Sequence, residues 1–240
     1  MWVGTTTGLS RIDDRGIRNF TVRDGLADDL VRAIGEDRLG RKWIGTDKGL
    51  TIMERGDPAA CFTPGSLAGN SVMAVCRDRE DNMWVGTSAS GLSFLKKNEV
   101  RIVGADDGLP GQQVRTICED RGGGLWVGTG DRGLNVFSDG RWRNYTSRDG
   151  LHSDAITSLL ADSRGRLWIG TREPGLQCLE GGKFSDLQPA PGRAVAPILS
   201  LFMDRGGGLW IGSDGSGLDR FRDGEWQHHG LARGLKAGVI

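Results

Sequence analysis

The stretch Arg121-Gly-Gly-Gly-Leu-Trp-Val-Gly-Thr129 returns almost letter for letter as RGGGLWIGS from Arg205 to Ser213. It returns again as RGRLWIGT from Arg164 to Thr171. In each copy an Asp and a Gly-bearing turn precede an apolar-Trp-apolar-Gly step. Glycine supplies the positive φ that tight hairpins need. Each copy therefore reads as two strands, A and B, folded about one turn. Working outward, the tryptophan recurs as Trp2, Trp43, Trp84, Trp126, Trp168 and Trp210, at spacings of 41 or 42 residues. A second marker keeps step: Gly8, Gly49, Gly91, Gly133, Gly175 and Gly217, each followed by Leu. A third is looser and runs through Gly25-Leu26, Ser66-Leu67, Gly108-Leu109, Gly150-Leu151, Gly192-Arg193 and Gly234-Leu235.

A period of about 40–45 residues with four short strands per unit is the pattern of a β-propeller. The unit that starts at Gly150 shows it most clearly. Strand A is expected over Ala155–Ala161, B over Leu167–Thr171, C over Gly175–Leu179 and D from Lys183. A helical solenoid has similar periods but would show a 3.6-residue apolar rhythm and few glycines. The expected fold is all-β: a propeller of six four-stranded blades, one domain over residues 1–240. Its segments would be 1–24, 25–65, 66–107, 108–149, 150–191 and 192–233, with 234–240 opening the closing inner strand. The blade at the termini is expected to be incomplete, because the sequence enters at strand B and reaches the missing strand A only at Val239 and Ile240. By register Ile240 should lie near Thr5 and Val239 near Thr6. An unpaired apolar edge there would favour self-association.

Residue choices fit that packing. Inner-strand positions carry Val31, Val72, Val114, Ile156 and Ile198, then Ile34, Val75, Ile117, Leu159 and Leu201, with small residues between them. Blades cover one another on both faces, so these strands are expected to be buried on both sides. The recurrent Trp would bury a large area between blades. The Gly two residues later would let backbones approach closely.

Composition excludes several functions. The 31 Lys and Arg balance the 31 Asp and Glu, so there is no basic excess of the kind nucleic-acid binders and anionic-membrane binders show. No run of about 18 apolar residues suggests a membrane helix, and the opening MWVGT is already repeat rather than secretory signal. Cys61, Cys76, Cys118 and Cys178 lack zinc-type spacing and read as buried small apolar side chains. No P-loop, GxSxG or HExxH occurs. Of three histidines, His152 opens a strand A. His228 and His229 are neighbours on a strand and so point to opposite faces. His229 falls where Phe20, Val103, Tyr145 and Leu187 stand and reads as a packing residue. The Asp at each A–B turn (Asp37, Asp78, Asp120, Asp162, Asp204) reads as a turn former. No catalytic residue, metal site or cofactor is therefore expected.

The pattern of Asp, Gly, LW-I/V-GT, GL and DGL, spelled out in LWVGTGDRGL and RLWIGTREPGL, resembles the two-component regulator propeller repeat over essentially the whole chain. More distantly it is similar to the propeller of streptogramin lyases. The first resemblance implies the extracytoplasmic or periplasmic sensor domain of a bacterial signalling protein, often one that detects carbohydrates. The second implies an enzyme with a metal-assisted histidine and acid cluster, which these residues do not spell.

Function is then expected where the copies differ. The B–C and D–A loops share one face of a propeller, and they vary while the A–B turns do not. The candidate ligand-binding residues on that face are Lys48, Asp131, Arg132, Arg172, Glu173 and Asp214 from the B–C loops, with Gln113 and His152 from the D–A loops. Arg32 and Arg115 stand out on the otherwise apolar strand A. Each would reach an anionic group at the channel mouth or lay its stem along apolar surface. The expected ligand is a carbohydrate or another polar molecule. A protein–protein interaction scaffold and a lyase are the alternatives.

Overall fold

Short extended runs broken by glycine leave this sequence one economical choice, antiparallel hairpins. The computed structural model describes residues 1–62, 71–96, 99–173, 175–187, 196–215 and 217–229. Within them stand 23 strands and three short 3-10 turns. The chain divides into two compact units, Met1–Glu119 and Asp120–Ile240.

In the first unit, blade one holds β1 (Trp2–Thr5), β2 (Gly8–Asp13) and β3 (Gly16–Phe20). Blade two holds β4 (Val31–Glu36), β5 (Lys42–Thr46), β6 (Gly49–Glu54) and β7 (Asp57–Phe62). Blade three holds β8 (Val72–Arg77), β9 (Met83–Thr87), β10 (Leu92–Lys96) and β11 (Glu99–Val103), and β12 (Val114–Glu119) ends the unit. The second unit runs on through β13 (Leu125–Thr129), β14 (Leu134–Ser138) and β15 (Arg141–Tyr145). Blade five follows with β16 (Ile156–Ala161), β17 (Leu167–Thr171), β18 (Leu176–Glu180) and β19 (Lys183–Leu187). Blade six is β20 (Ile198–Met203), β21 (Leu209–Ser213), β22 (Gly217–Arg222) and β23 (Glu225–His229). The sheets are antiparallel, five of four strands and one, β1-β2-β3, of three among the described residues. The fold is a six-bladed β-propeller, as the repeat predicts. The strand bounds expected around Gly150 hold to within a residue, and Ile156 faces Thr171. The expected pairing of Val239 and Ile240 falls outside the described residues.

Packing follows the repeat. In the first unit Trp43, Leu50 and Ile52 of blade two bury against Val72, Met83 and Val85 of blade three. In the second, Trp168, Leu176 and Cys178 of blade five bury against Ile198, Leu209 and Ile211 of blade six. The Gly two residues after Trp43 and after Trp168 faces the next blade's inner strand: a Cβ on Gly45 would lie 2.6 Å from Val72 Cγ1, and one on Gly170 would lie 2.6 Å from Ile198 Cγ2. Glycine at this step is thus a spacing requirement between blades.

The DGL marker gains a structure the spacing alone does not show. Val22–Asp24, Ala105–Asp107 and Ser147–Asp149 each form one 3-10 turn, closed by Gly25, Gly108 or Gly150 in the left-handed region. The carboxylate reaches back: Asp24 accepts from Thr21 N and Oγ1, both at 2.9 Å, and Asp149 from Thr146 N and Oγ1, both at 2.9 Å. The following Leu26, Leu109 and Leu151 are buried. The backbone bond from Thr21, then its hydroxyl, holds the Asp24 carboxyl below the usual range.

Two expectations are corrected and a third is extended. Ile34 is exposed rather than covered on both faces. It faces Gly4 of the three-stranded blade one, which offers no side chain to cover it. Cys61 is exposed and Cys76 and Cys118 are half-buried, so only Cys178 is a buried apolar filler. Cys61 sits on the outer strand β7 and donates its thiol to Gly25 O at 3.0 Å. The turn aspartates do more than turn the chain. Asp162 is buried, and its carboxylate accepts from Arg164 N (2.8 Å), Arg166 N (3.0 Å) and Arg166 Nε (2.7 Å).

Candidate functional site

In the first unit, strand A of blade two carries a bulge between Val31 and Ala33, and the extra residue is Arg32. A bulge re-aims its side chain. Arg32 reaches the B–C loop of its own blade, with Nε and Nη2 each 2.8 Å from Asp47 Oδ1. Ser71, entering blade three, donates to the same oxygen at 2.8 Å. The Ser71 hydroxyl, then Arg32, holds the Asp47 carboxyl below its ordinary range. Lys48, next along the loop, extends into solvent and meets Asp28 at 3.3 Å. Gln113 is exposed just before β12, and Arg115 is exposed on it.

In the second unit, the B–C loops leave Asp131, Arg132, Arg172, Glu173 and Asp214 exposed. Their backbones are anchored while their side chains are not. Arg132 N donates to Thr129 Oγ1 (3.0 Å), Arg172 N to Ala155 O (2.9 Å) and Asp214 N to Pro197 O (2.9 Å). Arg132 lies 3.7 Å from its neighbour Asp131. His152 finds polar partners on the strands of its own blade. Its backbone N donates to Gln177 Oε1 at 2.7 Å, and its Nδ1 stands 3.5 Å from Asp186. Gln177 Nε2 ties the pair by donating to Asp186 Oδ1 (2.9 Å) and Gly150 O (3.1 Å). Gly175 leaves room for the ring, since a Cβ there would lie 2.8 Å from His152 Nδ1.

The loops thus form two polar groups, one in each unit. The first unit brings together Arg32, Asp47, Ser71, Lys48 and Asp28. The second joins His152, Gln177 and Asp186 and sets Arg132, Arg172 and Asp214 at the same end of successive blades by strand order. Sequence reading missed Asp47, Ser71, Asp186 and Gln177, because each is a partner supplied by another loop or strand. A carboxylate-paired imidazole with flanking guanidinium groups suits hydrogen-bonding recognition of hydroxyl or anionic groups. His229 packs against Trp210 with ring centroids 5.2 Å apart, while His228 Nδ1 lies 2.8 Å from Asp219. Among the described residues no three His, Cys, Asp or Glu side chains group as metal ligands would.

Three segments, residues 66–89, 108–131 and 150–173, match the model of the two-component regulator propeller. No curated protein matches the chain in sequence. Among solved structures, it superposes on the extracellular domain of a hybrid two-component system of B. thetaiotaomicron with a TM-score of 0.81 at 17% identity. That match covers 97% of this chain and 35% of the other, so the chain spans about a third of that domain's length. It superposes on virginiamycin B lyase of Staphylococcus aureus with a TM-score of 0.67 at 16% identity, over 82% of this chain and 68% of that one. PorZ, a surface component of the type-IX secretion system of Porphyromonas gingivalis, gives 0.69 at 14% identity, over 95% and 38%. At such identities the likeness is one of fold, and the chain is a six-bladed β-propeller in which three segments match the two-component regulator propeller model.

Proposed function

We propose that this chain is the ligand-sensing propeller of a bacterial signalling protein, working outside the cytoplasm and binding its ligand without transforming it. One observation carries the reading. The scaffold positions repeat from blade to blade, whereas the B–C loops change residues at each step and leave Lys48, Arg132, Arg172 and Asp214 exposed. Residues that a fold does not need and that differ between equivalent places are where a ligand's shape is read. The ligand class is a carbohydrate or similar polar molecule. Arg132, Asp131, Arg172, Glu173, Asp214 and His152 would engage it in the second unit, and Lys48, Arg32, Gln113 and Arg115 in the first. The sensor role is supported by the two-component repeats and by the fold shared with a two-component extracellular domain.

Calorimetric titration of neutral and anionic oligosaccharides tests this. Binding should weaken at least about tenfold, roughly 1.4 kcal/mol, in Arg132→Ala or Arg172→Ala. Unchanged affinity in both, and in Lys48→Ala, removes the site. Self-association through blade one belongs to the same reading, and sedimentation at increasing concentration tests it. A lyase is the second reading, favoured by the His152–Asp186 pair. Equal turnover with Mg²⁺ by wild type and by a His152/His228/His229 triple alanine variant rejects it.

A further inference from the structure

At the opposite end of the blades, the A–B turns show how one blade's arginine is received by the next. In the first unit Arg38, one residue past the turn Asp37, donates from Nη2 to Arg79 O at 2.6 Å, and its Nε lies 3.6 Å from Asp81. Arg79, one residue past Asp78, places Nε 3.6 Å from Glu119 on β12. The receiving acids hold fixed places in the repeat. Asp81 is three residues past its turn Asp, and Glu119 immediately precedes its own.

In blade six those two places hold Gly207 and Met203. Both line a cleft of about 600 Å³ between the A–B turns of blades five and six. Arg164, Arg166, Arg205 and Arg222 line it too, against three aspartates. Two of those carboxylates are already engaged. Asp162 takes Arg166 at 2.7 Å and the Trp168 indole at 3.1 Å. Asp204 takes Arg220 at 2.7 Å and the Trp210 indole at 2.9 Å. The third, Asp223, lies 3.3 Å from Arg222 and is largely exposed. Among the described residues no carboxylate lies within 4.0 Å of Arg164 or Arg205, and both are exposed. Blade six supplies no acid at those two places, and the cleft carries two exposed guanidinium groups, Arg164 from blade five and Arg205 from blade six, that meet no carboxylate among the described residues.

We propose that this cleft binds a small carboxylate-bearing organic ligand, whose carboxylate pairs with the exposed Arg164 and Arg205. The guanidinium fork matches a carboxylate with two parallel hydrogen bonds. Met203, Leu209 and Phe221 give the cleft an apolar wall, which favours an organic body over a bare inorganic ion. The volume lies within the range of small-molecule sites, about 300–1,000 Å³. This site is independent of the loop face and of the sensor reading.

The decisive variant is Gly207→Asp. Gly207 has φ 80 with open space around a new Cβ, and Asp81 holds φ 70 at the same place of its repeat. Asp is among the residues that tolerate this conformation, so the variant places an internal acid at the cleft without disturbing the fold. Calorimetry with citrate as the probe should give saturable binding to wild type and to an Arg15→Gln control. It should give at least tenfold weaker binding to Arg164→Gln and Arg205→Gln, and none to Gly207→Asp at an unchanged unfolding midpoint. The proposal is overturned if citrate does not bind, if the three cleft variants bind it like wild type, or if sulfate binds as tightly as citrate.

Discussion

The Trp168 indole N–H donates to the buried Asp162 carboxylate across 3.1 Å. The same bond joins Trp43 to Asp37 (2.9 Å), Trp84 to Asp78 (2.8 Å), Trp126 to Asp120 (2.6 Å) and Trp210 to Asp204 (2.9 Å). The two residues lie six apart in sequence, on the two sides of the A–B turn. Each of these five blades thus locks its hairpin to its recurrent tryptophan.

Removing the acceptor should be costly. Asp162→Ala strands the Trp168 N–H, the Arg166 guanidinium and two turn amides. Leaving buried donors unsatisfied costs about 1–3 kcal/mol each at most, and water can reach some of these. A loss of about 2–3 kcal/mol in urea unfolding is expected. Asp162→Ala and Trp168→Phe together should cost less than the sum of the two, since they break one shared bond. Strict additivity would show that the bond does not couple turn to packing.

Acid should unfold the protein through these carboxylates. Burial alone would raise the Asp162 carboxyl, but the bonds from Arg166, Trp168 and Arg164 outweigh it and hold it below the usual 3.8. Asp37 is lowered in the same way, with Trp43 and Arg41 outweighing its burial. A carboxyl depressed on folding stabilises fully above its unfolded value, and that stability is lost as pH falls toward its folded value. Midpoints should therefore stay level from about pH 7 to about pH 5 and fall below about pH 4. Asp162→Asn should flatten that acid limb. A limb of unchanged slope would assign acid sensitivity elsewhere.

Close approach of blades makes a sharp contrast between glycines. Gly45→Ala places a Cβ 2.6 Å from Val72 Cγ1 and 3.2 Å from Val72 O. Overpacking of this kind costs about 1–3 kcal/mol. Gly104→Ala meets nothing within 4 Å on an extended backbone, φ −130. It should stay within about 0.5 kcal/mol of wild type. Thermal unfolding of the pair checks the contrast, and equal midpoints would refute the inter-blade contact.

The cysteines should separate by reactivity. Burial pushes the Cys76 and Cys178 thiols up to about 11, which suppresses the reactive thiolate. Cys61 is exposed on β7. Iodoacetamide at pH 8, followed by peptide mass spectrometry, should label Cys61 first and leave Cys76 and Cys178 protected until urea is added. Early labelling of Cys178 would contradict its burial.

How much was legible varied with the range of the interaction. Trp168, Gly170 and Leu176 announce their strands and the bulk of their burial, because every blade repeats the same local packing problem. Ile34 misled because its exposure depends on what the neighbouring sheet offers. Arg32 stood out among apolar residues, but its partner Asp47 came from a loop 15 residues away, and the bulge that aims it leaves no mark in composition. The turn aspartates looked like turn formers because positive-φ glycines beside them account for the turn unaided; the indole donor became visible only with the fold.

The sequence by itself determined the all-β class, the blade repeat and its register, and which residues are interchangeable between blades. Those follow from local rules, the period of apolar residues and the backbone freedom of glycine, which act over a few residues. Only the tertiary structure decided which charges are spent and which stay available. Asp162 and Asp204 are consumed by Trp and Arg partners, while Arg164 and Arg205 meet no carboxylate among the described residues, unlike Arg38 and Arg79. A charge acquires a role only when the distance to its counter-charge is known, and folding sets that distance between residues some 40 positions apart.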